Sequence, residues 1–198
     1  MALALQAVLL LAACGGSPPA LPLLPTDATV LAFGDSITHG TGATPENSYP
    51  AVLARLIDRE VVNAGIPGET TAEGRERLPG VLAEVRPDLV LLCLGGNDFL
   101  RSKPDDAVRA NLAAMIERLR DRGIPVVLIE VPQPKLLLSG HPLYGDLGER
   151  YGVPVLDDTL TDILGESHLR SDRIHPNAAG YNRLAEALAG LLRETGAI

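Results

Sequence analysis

Thr29 to Gly40 reads T-V-L-A-F-G-D-S-I-T-H-G. Val30, Leu31, Ala32 and Phe33 form an unbroken apolar run, the pattern of a strand covered on both faces inside a parallel sheet, and Gly34 lets the backbone turn sharply where the run stops. Ser36 is thereby predicted on the rim of the sheet, where its hydroxyl and the amides of the next turn can meet a ligand. The same residues have a plainer reading, because Asp and Ser are the commonest helix caps and Asp35 or Ser36 could simply start a helix. The remainder of the chain decides between the two.

Outward from this strand the pattern alternates. Asn47 or Ser48 can cap a helix whose apolar face is Tyr49, Leu53, Leu56 and Ile57. Val61 and Val62 begin a second strand that runs into N-A-G-I-P-G at 63–68. Thr70 and Glu73 have capping-box spacing ahead of the helical face Leu78, Leu82 and Val85, which Pro79 is expected to kink or split. Asp88 to Leu94 is the most apolar strand and ends at Gly95-Gly96-Asn97-Asp98. Val108, Leu112, Met115, Ile116 and Leu119 then share one face of a long amphipathic helix closed by Gly123. Val126 to Val131 is a fourth strand, Pro132 to Gly145 reads as irregular, Leu147 to Tyr151 as weakly helical, and Val153 to Leu156 as a fifth strand. A last helix starts near Asn177 and buries Tyr181, Leu184, Leu188, Leu191 and Leu192.

Five strands alternating with helices predict an α/β fold, a parallel sheet with right-handed crossovers and helices on both faces. Ligands of such sheets bind outside the carboxyl ends of the strands, near the point where strand order reverses. Ser36 follows the first strand, Gly68 the second and Asn97 the third, so all three are predicted to face one crevice.

The chain has 198 residues, 46% of them hydrophobic, which suits one domain, here residues 28–198, with an ample core. Aromatics make up only 3%, so Leu, Val and Ala must fill that core. A net charge of -8, with no clustered Lys or Arg, excludes a nucleic-acid partner and favours small, uncharged substrates. Residues 1–13 are an apolar run too short to span a bilayer, ending in Leu11-Ala12-Ala13-Cys14. They resemble a bacterial lipoprotein signal, which implies cleavage before Cys14, acylation of that cysteine, and a cell-envelope protein held at a membrane through a flexible tether, residues 14–27. Cys93 lies inside a strand, where a free cysteine behaves as a small hydrophobe. No Cys/His spacing suggests zinc.

A second polar cluster, Ser171-Asp172-Arg173-Ile174-His175-Pro176-Asn177, stands just before the final helix. Serine is a weak nucleophile until a base takes its proton, and an imidazole base needs a group on its other nitrogen to fix its tautomer. An aspartate three residues before a histidine in a turn can supply that group. Taken alone, Asp-x-x-His also fits a capping Asp and a surface His.

G-D-S-I-T at 34–38, N-A-G-I-P-G-E-T at 63–70, G-G-N-D at 95–98 and D-R-I-H-P at 172–176 resemble, in order and spacing, the four sequence blocks of the SGNH (GDSL) hydrolase family, closest to its thioesterase/lysophospholipase/arylesterase branch. The resemblance covers essentially the whole chain after residue 28. It implies a flavodoxin-like three-layer α/β/α sandwich with a five-stranded parallel sheet, and hydrolysis of carboxylic esters without metal or organic cofactor. It further implies Ser36 as nucleophile, His175 as base, Asp172 as its orienter, and Gly68 and Asn97 joining the Ser36 amide as oxyanion donors. No G-x-S-x-G is present, so the strained elbow of α/β-hydrolases is not expected. A carbohydrate O-acetylesterase and a non-catalytic binding module on the same fold are the competing readings.

Several polar residues have bland expectations. His39 is read as solvated or structural, and His141 and His168 as exposed loop residues. Asp35 should support the turn after the first strand, and Asp98 the loop of Asn97. Asp157 and Asp158 compete with Asp172 as orienter. Leu136, Leu137 and Leu138 could line an acyl groove or pack against the sheet.

Overall fold

The computed structural model describes residues 17–133 and 138–198. Along the chain it contains β1 (Thr29–Gly34), α1 (Ser36–His39), α2 (Tyr49–Ile57), β2 (Glu60–Gly65), α3 (Thr71–Val85), β3 (Leu89–Cys93), α4 (Gly96–Leu100), α5 (Asp105–Arg120), β4 (Val126–Ile129), α6 (Pro142–Tyr151), β5 (Val155–Leu156), α7 (Thr159–Gly165) and α8 (Ala178–Glu194). Residues 1–13, read as a lipoprotein-type signal, and Cys14 lie outside the described residues, as do Leu136 and Leu137. No helix among the described residues is long and apolar enough to cross a membrane.

Every residue of β3 and β4 is buried, as is β1 from Val30 onward, which is what helices on both faces of a parallel sheet demand. The edge strand β2 mixes exposed and half-buried positions. All four strand pairings are parallel, in the order β2-β1-β3-β4-β5. The chain leaves β1 for β2 on one side and returns across it to β3 on the other, so strand order reverses at β1. Gly34 pairs with Gly65 and with Cys93, and the carboxyl ends of β2, β1 and β3 therefore stand level at that reversal. The three segments that leave them emerge side by side.

Helix α2 packs with α8, while α3 packs with α5 and α5 with α6. In α2 the buried face is Tyr49, Val52, Leu53 and Ile57, whereas Leu56 in the last turn is 40% exposed, because periodicity fixes a face and not how far along it a neighbour reaches. The capping box of α3 is present: Thr70 Oγ1 accepts from Glu73 N, and Glu73 Oε2 accepts from Thr70 N at 2.8 Å. The helix then runs unbroken through Pro79, where a split was open. The carbonyl that Pro79 leaves unpaired belongs to Arg75, an exposed residue, so water can serve it.

Two stretches differ from expectation. Helix α6 begins at Pro142 rather than near Leu147, with Pro at its first position and His141 Nδ1 accepting from Leu143 N at 3.3 Å. The short helices α4 and α7 had no counterpart in the sequence pattern, since five to seven residues give too few turns for a period to show. Helix α8 starts where expected, with Asn177 Oδ1 accepting from Ala179 N and Gly180 N at 3.0 and 3.1 Å.

Candidate active site

Beyond β1, Asp35 caps α1 by accepting the Ile37 N–H on Oδ1 at 3.0 Å, which sets Ser36 as the first helical residue at the sheet rim. Both readings of Gly-Asp-Ser are thus present at once: Asp35 is the cap, and Ser36 faces the crevice. Helix α1 lies so close over the end of β2 that a methyl group on Gly65 would overlap the main chain of Thr38 and His39.

The late polar cluster folds back onto this point. Ser171 N donates to His175 O at 2.9 Å, and Arg170 bridges Pro176, closing a tight loop. Within it Asp172 Oδ1 accepts the N–H groups of Ile174 and His175 at 2.8 and 2.9 Å, which turns Oδ2 toward the imidazole, 2.7 Å from His175 Nδ1. His175 Nε2 stands 2.9 Å from Ser36 Oγ. Partial burial works against the Asp172 carboxylate, but the hydrogen bonds from His175 and the two amides outweigh it and hold the carboxyl below its ordinary range. Neither Asp157 nor Asp158 takes this place.

The turn after β2 is pinned from α3. Arg77 grips Glu69 with two N–H groups, each at 2.6 Å, donates to Ala64 O at 3.0 Å, and lies over the Phe33 ring at 4.1 Å. Gly68, one residue earlier, has a φ of +83°, a region that favours glycine. Its carbonyl accepts from Arg101 Nη2 at 2.9 Å. Among the described residues, neither the Gly68 N–H nor the Ser36 N–H has a protein acceptor.

Asn97 comes from the start of α4. Its amide nitrogen donates to Asp35 Oδ2 at 3.2 Å and to Glu69 O at 3.0 Å, joining the turns after all three strands. Asp98 holds that loop by accepting Thr71 N and Thr71 Oγ1 at 2.8 and 2.9 Å. Asp35 is buried, and burial drives its carboxyl up to about 7, opposed by the Ile37 amide and by the charge of His175.

Ser36, Gly68, Asn97 and His175 line one cavity of about 250 Å³. Leu100, Val131, Leu138 and Leu164 give it apolar walls, so Leu138 belongs to the groove rather than to the sheet. Among the described residues no three of His, Cys, Asp and Glu stand close enough to hold a metal ion.

Of the other histidines, His39 is exposed, and the side chain of His168 is 72% exposed beside Glu166. His141 is a correction: it is buried, its ring stacked on Phe99 at 4.5 Å and its Nε2 3.2 Å from Asp105 Oδ2. A loop histidine becomes a core histidine here because α6 starts directly after it. The Glu69–Arg77 fork, which shapes the Gly68 turn, leaves no mark in the sequence, because an eight-residue separation across a loop and a helix carries no periodic signal.

A hydroxyl, an imidazole and a carboxylate linked in series at the carboxyl edge of a doubly covered parallel sheet place the protein in the class of α/β hydrolytic enzymes. Residues 32–183 match the GDSL-like Lipase/Acylhydrolase family. Esterase TesA of Pseudomonas aeruginosa is 35% identical over 169 residues, 80% of this chain and 84% of its own. An arylesterase of Vibrio mimicus is 31% identical over 171 residues, 81% and 86% of the two chains. The crystal structure of TesA superposes with a TM-score of 0.75 at 32% identity, covering 84% of this chain and 99% of that one. The chain belongs to the GDSL-like lipase/acylhydrolase family, whose members are also called SGNH hydrolases. It is accordingly a carboxylic ester hydrolase.

Proposed function

We propose that the protein hydrolyses short and medium acyl or aryl esters through an acyl-enzyme on Ser36. The observation that carries this reading is the unbroken hydrogen-bonded series Ser36–His175–Asp172, at 2.9 and 2.7 Å, beside a cavity lined also by Gly68, with the N–H groups of Ser36 and Gly68 unengaged among the described residues. As Ser36 Oγ attacks the ester carbonyl, His175 Nε2 takes its proton, and Asp172 steadies the imidazolium from Nδ1. The carbonyl oxygen becomes an oxyanion, for which the Ser36 and Gly68 amides are the available donors. Asn97 joins them with the hydrogen that in the free protein reaches Asp35, the longer of its two bonds. His175 then returns the proton to the departing alcohol, and water repeats the cycle to release the acid. The apolar walls at Leu100, Val131, Leu138 and Leu164 suit the acyl chain. The relatives' names, esterase and arylesterase, support an ester rather than an amide substrate.

Ser36→Ala tests the assignment. Turnover of p-nitrophenyl acetate should fall by several orders of magnitude while the thermal unfolding curve stays in place. Unchanged kcat in that variant would remove Ser36 from the chemistry. The Leu11-Ala12-Ala13-Cys14 run supports, in addition, a lipid anchor on Cys14, which incorporation of labelled palmitate into the wild type and not into Cys14→Ser would test.

A further inference from the structure

The acidic balance of the chain favours uncharged substrates, yet among the described residues the wall of the cavity includes an arginine. Arg173 lines the pocket beside His175, is exposed, and makes no hydrogen bond or ion pair among the described residues. Its nearest carboxylate in sequence cannot answer it, because Asp172 spends both oxygens on His175 and on the amides of Ile174 and His175. Asp35, the acid that lines the cavity, is buried and bonded to Ile37 and Asn97. Arg101 at the Gly68 side differs, since it is tied to the Gly68 carbonyl and shares its charge with Glu73. Arg173 therefore presents an uncommitted guanidinium at the edge of a cavity that combines the polar groups of the site with apolar walls.

Its position in the chain says which part of a substrate it meets. His175 must hand its proton to the leaving oxygen or sulfur, so the alcohol or thiol portion of the substrate departs on the side of the Asp172–His175 loop, and Arg173 belongs to that loop. Resting on the reading of the site given above, we propose that Arg173 is a specificity-determining residue that selects esters whose leaving portion bears an anion. A planar guanidinium with paired N–H groups suits a sulfonate, phosphate or carboxylate, and it acts on the charge of the leaving group rather than on the acyl chain.

The test uses butyryl esters of 4-hydroxybenzenesulfonate and of its neutral counterpart 4-hydroxybenzenesulfonamide. Arg173→Gln should lower the ratio of kcat/KM, anionic over neutral, by about tenfold or more, chiefly through KM, as expected for loss of a charge-assisted hydrogen bond. Arg173→Lys should keep part of the preference, and Arg122→Gln, an exposed arginine outside the pocket, should leave the ratio as it is. In the wild type the preference should shrink with added salt, whereas in Arg173→Gln it should not respond, a difference that a purely structural role would not produce. A second arm compares 1-butyryl-glycerol 3-phosphate with butyryl-coenzyme A: the one that loses more rate in Arg173→Gln identifies the anion as a lipid headgroup or a nucleotide phosphate. A ratio unchanged by Arg173→Gln, with no loss on either phosphate substrate, overturns the proposal. Turnover persisting in Ser36→Ala would instead strike down the site on which it rests.

Discussion

At the scale of the single residue, Asn97 does two jobs with one nitrogen: it links the turns after β1 and β2, and it lines the cavity. If its amide also receives the oxyanion, Asn97→Ala should cost about 10² to 10³ in kcat with little change in KM, measured on a p-nitrophenyl ester. A purely structural Asn97 would show instead as a lowered unfolding temperature with near-normal kcat. Asp172 and His175 stand three positions apart, so their pairing was open to the sequence, whereas the link of Ser36 to an imidazole 139 positions away rested on the resemblance of the four blocks. What was not legible is how Asp35 works. Its acceptance of the Ile37 amide follows from cap chemistry, but its second bond, to a residue 62 positions away, exists only because β1 and β3 end side by side.

At the scale of the element, the reach of Ser36 depends on how tightly α1 lies against the end of β2. Two glycine-to-alanine changes should therefore have opposite signs. Gly65→Ala inserts a methyl into the main chain of α1, and should lower stability by about 1–3 kcal/mol and reduce ester turnover as Ser36 shifts from His175. Gly80→Ala, in α3, meets nothing within 4 Å and should raise stability by about 0.5–1 kcal/mol through helix propensity alone. Thermal melts of the two variants check both, and equal shifts would refute the packing argument. Long elements such as α5 and α8 were readable from their stripes, and α3 from its capping box. The start of α6 was hidden by Pro132 to Gly145, whose prolines and glycines look alike whether they break a chain or begin a helix.

At the scale of the whole molecule, stability should depend on pH through carboxyls that the fold buries. Glu130, just past β4, is 8% exposed, and its Oε1 has no hydrogen-bond partner among the described residues. Burial first, then the charges of Asp158 and Asp157, lift its carboxyl from 4.5 to about 7. A folded-state value above the unfolded one means the fold prefers the protonated acid: there is no cost below pH 4.5, the cost grows between 4.5 and 7, and it is fully present above 7. Its size is at most about 3 kcal/mol. Asp35, raised to about 7, acts with the same sign. Glu130→Gln should therefore stabilise the protein at pH 8 more than at pH 5, as read by urea unfolding at the two pH values, and an equal gain at both would dismiss the buried charge as the cause. The class of fold was readable from the wholly apolar strands β1, β3 and β4, whereas the burial of Glu130 came from a loop return that no local pattern announces.

The Ser36 and His175 partners are separated by 139 positions, one near the start of the domain and the other just ahead of α8. A ribosome thus delivers the hydroxyl early and the imidazole almost last, and a half-synthesised chain holds Ser36 without His175. If hydrolysis relies on this pair, a chain that ends before residue 175 should be inactive, and turnover should begin only once the segment ahead of α8 has been made and folded back.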